Sequence, residues 1–163
     1  MKKNIAVVVL LSLLFIACAR QKTQGNAKAP DFTLKTLEGE DFHLYDYLGN
    51  VIIIDFWDTW CPPCRAEIPH FIELYSKYGG EGFLMIGIAF GREGKDKVKS
   101  FAQEQGINYP LVIADQKVVN SYGGITAIPT TFIVDKEGKI VEKVVGYRDK
   151  EFFEEKIKNL ISR

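Results

Sequence analysis

The 163-residue sequence predicts a three-layer α/β domain. Two β-branched and apolar runs, Val51-Ile52-Ile53-Ile54-Asp55-Phe56-Trp57 and Phe83 to Phe90, have the length and composition of strands buried on both faces. Segments with apolar residues at helical spacing follow each run, the alternation that lays helices over a sheet. A hairpin pattern and an amphipathic final segment complete the third observation.

The elements are justified in order along the chain. Phe32 to Leu34 and Asp41 to Leu44 flank the turn signal Glu38-Gly39-Glu40 and predict an N-terminal β-hairpin. The strand at 51–57 leads into a helix from about Pro62 to Tyr78, with Ile68, Phe71, Ile72, Tyr75 and Tyr78 on its apolar side and a kink at Pro69. After the strand at 83–90, Val98, Phe101, Ala102 and Gln105 mark a short amphipathic helix. Leu111 to Ala114 then reads as a short strand and Val118 to Tyr122 as a helical turn. Thr131 to Val134 and Ile140 to Val145 form a hairpin around Asp135-Lys136-Glu137-Gly138. The last helix sets Phe153, Ile157, Leu160 and Ile161 along one face.

The first residues have the form of an export signal. Lys2 and Lys3 precede the apolar stretch Ile5 to Ala17, shorter than the roughly 20 residues a membrane span needs. It ends in Phe15-Ile16-Ala17-Cys18, which resembles the bacterial lipobox although Phe15 stands where Leu is usual. That resemblance implies a lipoprotein-type signal peptide at 1–17, cleaved before Cys18, with lipid attached to the Cys18 thiol. The alternative is an uncleaved amphiphilic anchor with Cys18 as an ordinary thiol. Either reading expects an exported domain held at the extracytoplasmic face of a bacterial membrane. Residues 18–28 are polar after Cys18, lack periodicity, and read as a tether reaching roughly 15 to 20 Å. Residues 29–163 remain for one domain, expected to be monomeric.

Lys and Arg number 21, as do Asp and Glu, and no basic block stands out. This balance gives no sign of nucleic-acid binding. A domain of this length can bury enough surface to need no disulfide scaffold, so its cysteines point to chemistry.

Those cysteines lie in Trp60-Cys61-Pro62-Pro63-Cys64. The first sits where a strand passes into a helix. Free N–H groups and the positive end of the helix dipole favour a thiolate there, lowering thiol pKa values from about 8.5 to roughly 3.5–7.5. Cys61 is the candidate nucleophile, and Cys64, one turn on and facing inward, the candidate resolving thiol. Two other readings exist. Structural zinc needs four ligands, and His43 and His70 stand alone. A structural bridge over so short a loop removes little unfolded-chain entropy. No metal and no cofactor beyond the redox-active Cys61–Cys64 pair is expected.

With these residues the chain resembles the thioredoxin superfamily over about residues 29–163. The resemblance rests on the Cys-x-x-Cys pair, Asp55 six positions before Cys61, Trp57 and Trp60, Pro69 five positions after Cys64, and Ile128-Pro129-Thr130 ahead of a strand. The opening Ala29-Pro30-Asp31-Phe32, the N-terminal β-hairpin, the helix-containing insertion at 92–115 and the acidic Glu67 look like the TlpA/ResA branch of membrane-tethered thiol-disulfide reductases. The resemblance implies a cis bond at Pro129, freeing the Ile128 backbone to pair with an incoming peptide. It adds Trp60 and Pro62 to the substrate-binding surface.

Roles for the two acids follow, with alternatives open. Burial in the apolar strand raises the pKa of Asp55, suiting it to take the Cys64 proton; a strand-end carboxylate in solvent is the other reading. Glu67 tunes Cys64 or simply favours the helix start through the dipole. Trp57 reads as core and Trp60 as an exposed platform, while His70 reads as an ordinary boundary residue and Gly91 to Lys97 as a solvated turn. The resemblance implies client protein disulfides, such as a cytochrome c apoprotein awaiting haem attachment during cytochrome c maturation, and a transmembrane thiol carrier as electron donor. A disulfide-forming oxidase, a thiol peroxidase and a non-enzymatic metal-binding module are the other functions open at this point.

Overall fold

The β-branched run at 51–57 becomes the middle of the molecule. In the computed structural model, which describes residues 27–163, the chain forms in order β1 (Thr33–Lys35), β2 (Asp41–His43), a 3-10 turn (Leu44–Tyr47), β3 (Val51–Trp57) and α1 (Pro62–Tyr78). β4 (Phe83–Ala89), α2 (Lys95–Gln105), β5 (Leu111–Ile113), α3 (Gln116–Ser121), β6 (Thr130–Val134), β7 (Ile140–Val145) and α4 (Lys150–Ile161) follow. The five-stranded sheet has the order β5-β4-β3-β6-β7, with β1 and β2 as a separate hairpin. β3 pairs parallel to β4 and antiparallel to β6, and all seven of its residues are buried. A strand flanked and covered on every side needs the continuous apolar sequence seen here.

Alternation along β3 divides the core in two. Val51, Ile53 and Trp57 face α1, α2 and α4, where Ile68, Phe71, Val98, Phe101, Phe153 and Ile157 meet them. Ile52, Ile54 and Phe56 face the hairpin and α3 through Phe32, Leu34, Phe42, Val118 and Tyr122. These are the three expected layers, in a thioredoxin-like mixed α/β fold with an N-terminal hairpin.

Local differences from the sequence reading have local causes. Leu44 to Tyr47 leaves the hairpin as a 3-10 turn and buries Leu44. Phe90 drops out of β4, its N–H donating to the Trp57 carbonyl at 3.1 Å. The buried stripe of α1 runs through Cys64, Glu67, Ile68, Phe71 and Leu74, leaving Ile72, Tyr75 and Tyr78 half-buried at its side. α1 continues through Pro69 as one helix, so the missing N–H there does not end it. Within the 92–115 insertion, α2 seals one edge of the core and stops at Gly106, whose φ of 65° is a left-handed helix end that favours glycine.

Ala27 and Lys28, read from sequence as the end of the tether, already join the domain. The Ile140 N–H donates to the Ala27 carbonyl at 2.9 Å, and Lys28 bridges Lys139. The expected signal peptide at 1–17 and Cys18 lie outside the described residues. No helix among the described residues is long and apolar enough to cross a membrane.

Candidate active site

Three chain segments meet at the end of β3: the Asp58–Cys61 loop with the start of α1, the Gly91–Glu93 turn after β4, and the Ile125–Pro129 segment before β6. Cys61 caps α1 and Pro62 opens it, a position where the ring's fixed φ fits and its absent N–H costs nothing. Cys61 and Cys64 form a disulfide with Cα atoms 5.3 Å apart. The Cys64 N–H donates to Cys61 Sγ at 3.3 Å, so the helix N-terminus is aimed at that sulfur. The Ile128 carbonyl oxygen lies 3.7 Å from the same sulfur, and the Ile128–Pro129 bond is cis. Cys61 and Cys64 are both buried in this oxidised state.

Asp55 is on the α1 side of β3, and burial, reinforced by the nearby Glu67 carboxylate, pushes its pKa well above the usual range. Its Oδ1 accepts a hydrogen bond from Thr131 Oγ1 at 3.0 Å, which opposes that shift. The solvent-exposed reading of Asp55 is thereby excluded. Glu67 is one turn beyond Cys64 on the same buried stripe and fully enclosed. Its Oε1 accepts from the Arg148 backbone N–H at 2.7 Å, while Oε2 is buried with no partner among the described residues. Burial raises its pKa from 4.5 to about 7, with the Arg148 contact holding it lower than it would otherwise go. The depth of Glu67 was hidden in the sequence, where helix-start acids are ordinarily exposed. Tyr109, above β4, is buried near both acids and its hydroxyl is held protonated by burial and by their charges.

Asp58 had no assigned role in the sequence reading, and it organises the rim. Fully buried, it accepts at Oδ1 from the Thr59 N–H (2.8 Å) and at Oδ2 from Trp60 Nε1 (3.0 Å) and the Arg92 N–H (3.2 Å). The signal available was an acid directly after an apolar strand and before a helix, where Asp commonly binds local N–H groups. Trp60 is 46% exposed, the platform expected, and Trp57 is core with its Nε1 unpartnered among the described residues. The solvated turn expected at 91–97 ends at Gly94, because Lys95 to Lys97 already form the first turn of α2, and within it Glu93 Oε2 accepts from Thr59 Oγ1 at 2.7 Å and ties the turn down. His70 is a boundary residue against the Tyr147 ring. Beside Cys61 a groove of about 400 Å³ runs between Trp60, Pro62 and Phe90 on one side and Ile125 to Ile128 on the other, bringing together the expected substrate-binding residues except the buried Pro129.

A helix-capping cystine with Cys61 lining a groove has the chemistry for thiol-disulfide exchange. Glu67 shares the buried stripe of α1 with Cys64, and Asp55 lies close enough to Glu67 for its charge to be felt. The family model described as AhpC/TSA family matches residues 26–143. Thiol-disulfide oxidoreductase ResA of Bacillus thuringiensis (strain Al Hakam) is 34% identical, the alignment covering 98% of this chain and 99% of that protein. Its counterpart from Geobacillus thermodenitrificans (strain NG80-2) is 36% identical over 98% and 94% of the two chains. The crystal structure of a thioredoxin-family thiol:disulfide interchange protein from Chlorobium tepidum TLS superposes with a TM-score of 0.78 at 35% identity, covering 89% of this chain and 99% of the other.

Proposed function

Because this chain belongs to the AhpC/TSA family and is a thiol-disulfide oxidoreductase of the ResA type, we propose that it works as an exported, membrane-tethered reductase of protein disulfides. The observation that carries the reading is a cystine whose Cys61 caps α1, accompanied by two buried, neighbouring carboxyls, Asp55 and Glu67, the latter one turn beyond Cys64 on the buried stripe of α1. In the reduced protein Cys61 attacks as the thiolate, stabilised by the α1 N-terminus. Its sulfur bonds one sulfur of a client disulfide, and the client's other sulfur leaves as a thiolate. Cys64 then gives its proton to Asp55 or Glu67 and attacks Cys61 Sγ, so the mixed disulfide breaks and the second client thiolate departs. Two electrons pass to the client, and the Cys61–Cys64 disulfide is left behind.

Trp60, Pro62 and Ile128 hold the client strand during the exchange, with the buried cis Pro129 acting from behind by setting the Ile128 backbone. The signal-like segment at 1–17 and the lipobox-like Phe15-Ile16-Ala17-Cys18 support export and a lipid anchor on Cys18 at the extracytoplasmic face. In an oxidising compartment the spent disulfide needs electrons from inside the cell. A transmembrane thiol carrier is the proposed donor and a cytochrome c apoprotein the proposed client. The reduction potential tests the direction: a value near −270 mV with reduced protein in cells supports the reductase, whereas one near −120 mV with fully oxidised protein replaces it by a disulfide-forming oxidase.

A further inference from the structure

The groove beside Cys61 is lined mostly by apolar side chains. Among the described residues lining it, Arg92 carries the one charged side chain. The guanidinium lies over the Trp60 ring, 5.1 Å from its centroid. The buried Asp58 carboxylate holds the indole through Trp60 Nε1 at 3.0 Å and the arginine's main chain through the Arg92 backbone N–H at 3.2 Å, and the Thr59–Glu93 hydrogen bond pins the same turn one residue on. A guanidinium held over an indole by cation–π attraction still has N–H groups free for a partner. Arg92 makes no ion pair with a carboxylate among the described residues, and Glu93, its neighbour, is turned to Thr59.

The opposite wall supplies backbone. Thr126 and Ala127 are exposed, and the N–H groups of Thr126, Ala127 and Ile128 donate to no other backbone group among the described residues. Unpaired N–H groups along an apolar groove suit an extended chain, whose backbone can add alongside them. We propose that Arg92 makes this groove select client segments that carry an Asp or Glu side chain beside the reacting cystine. The inference rests on the reading that client disulfides are held in this groove. Asp58 acts only through Trp60 and Arg92, as a positioning residue. A carboxylate meets the guanidinium edge in a fork of two N–H···O bonds, while a lysine at the same place meets a like charge.

The test uses the full-length reduced protein and three peptides of one sequence, each with one internal disulfide and with Glu, Gln or Lys next to a cysteine. Second-order rate constants are divided by those of dithiothreitol with the same peptide, which removes differences in intrinsic reactivity. The wild type is expected to favour Glu over Lys by about five- to tenfold at low salt, with the ratio collapsing toward one at about 1 M salt. Arg92→Gln should bring the low-salt ratio within about twofold, Arg92→Lys should keep part of it, and Arg92→Glu should invert it. Because ratios are compared, a general loss of reactivity in a variant does not mimic the effect. A wild type that reduces all three peptides equally, or an Arg92→Gln protein with undiminished preference, overturns the selectivity alone. A wild type that reduces none of them overturns the reductase reading and this inference with it.

Discussion

At the scale of single residues, Glu67 and Asp55 differ in what the sequence could tell. Asp55 sits in an apolar run, so burial with a raised pKa is one of the two readings the pattern offers, and the packed strand selects it over a strand-end carboxylate in solvent. Glu67 follows an exposed Pro63, Arg65 and Ala66, and only the inward stripe of α1 and the approach of Arg148 from the β7–α4 loop enclose it. That approach joins residues 81 positions apart, a distance at which local spacing carries no information. The buried Glu67 holds its proton up to about pH 7, whereas the unfolded chain releases it near 4.5. The folded state therefore binds more protons across that window, and stability falls as pH rises through it. Glu67→Gln should remove the Glu67 share of the decline and leave that of Asp55, gaining on the wild type between pH 4 and pH 8 by at most about 3 kcal/mol in urea denaturation. A difference that does not change with pH would show that Glu67 titrates like an exposed acid. For Asp55→Asn, rapid-mixing kinetics near neutral pH should show release of the mixed disulfide slowed by about a hundredfold and its formation changed much less. Equal rates for both steps would reduce Asp55 to a structural role.

At the scale of elements, strands buried on both faces were legible to within a residue. β3 keeps the expected bounds, β4 stops one residue early where Phe90 turns to the Trp57 carbonyl, and the half-exposed edge strand β7 also keeps its bounds. The Asp58–Trp60 and Gly91–Glu93 turns were legible only as connections, because their order comes from side-chain bonds between segments 34 residues apart. β4 also holds a glycine whose reason appears only in the packed sheet. Gly87 pairs with Asp55 across the ladder, and a Cβ there would come within 2.9 Å of Trp57 Nε1 and 2.5 Å of Leu111 Cδ2. The leucine methyl can rotate away, but the indole is locked in the core against Phe101. Gly87→Ala should cost about 1–3 kcal/mol in chemical denaturation, the range for overpacking a filled interior. An unchanged midpoint would mean that the Trp57 ring moves freely.

At the scale of the whole molecule, the domain presents its chemistry at one end of β3, and the anchor proposed before residue 27 would set where that end works. Cys18 and the tether would hold Cys61 within tens of ångströms of a bilayer, roughly the reach of a flexible coil of that length plus the domain itself. Cys18→Ser should leave exchange with a small disulfide intact in vitro, while moving the protein out of the membrane fraction and lowering its reduced share in cells. A variant that stays membrane-bound and reduced would remove the lipid anchor from the account. The most direct test of the central claim, that Cys61 attacks and Cys64 resolves, is capture of the intermediate in a Cys64→Ser protein. Incubated reduced with a disulfide-containing protein and analysed by non-reducing electrophoresis and peptide mass mapping, it should accumulate a covalent complex joined through Cys61 and dissolved by dithiothreitol. A Cys61→Ser protein that accumulates the same complex through Cys64, or a Cys64→Ser protein that accumulates none, would contradict the assignment.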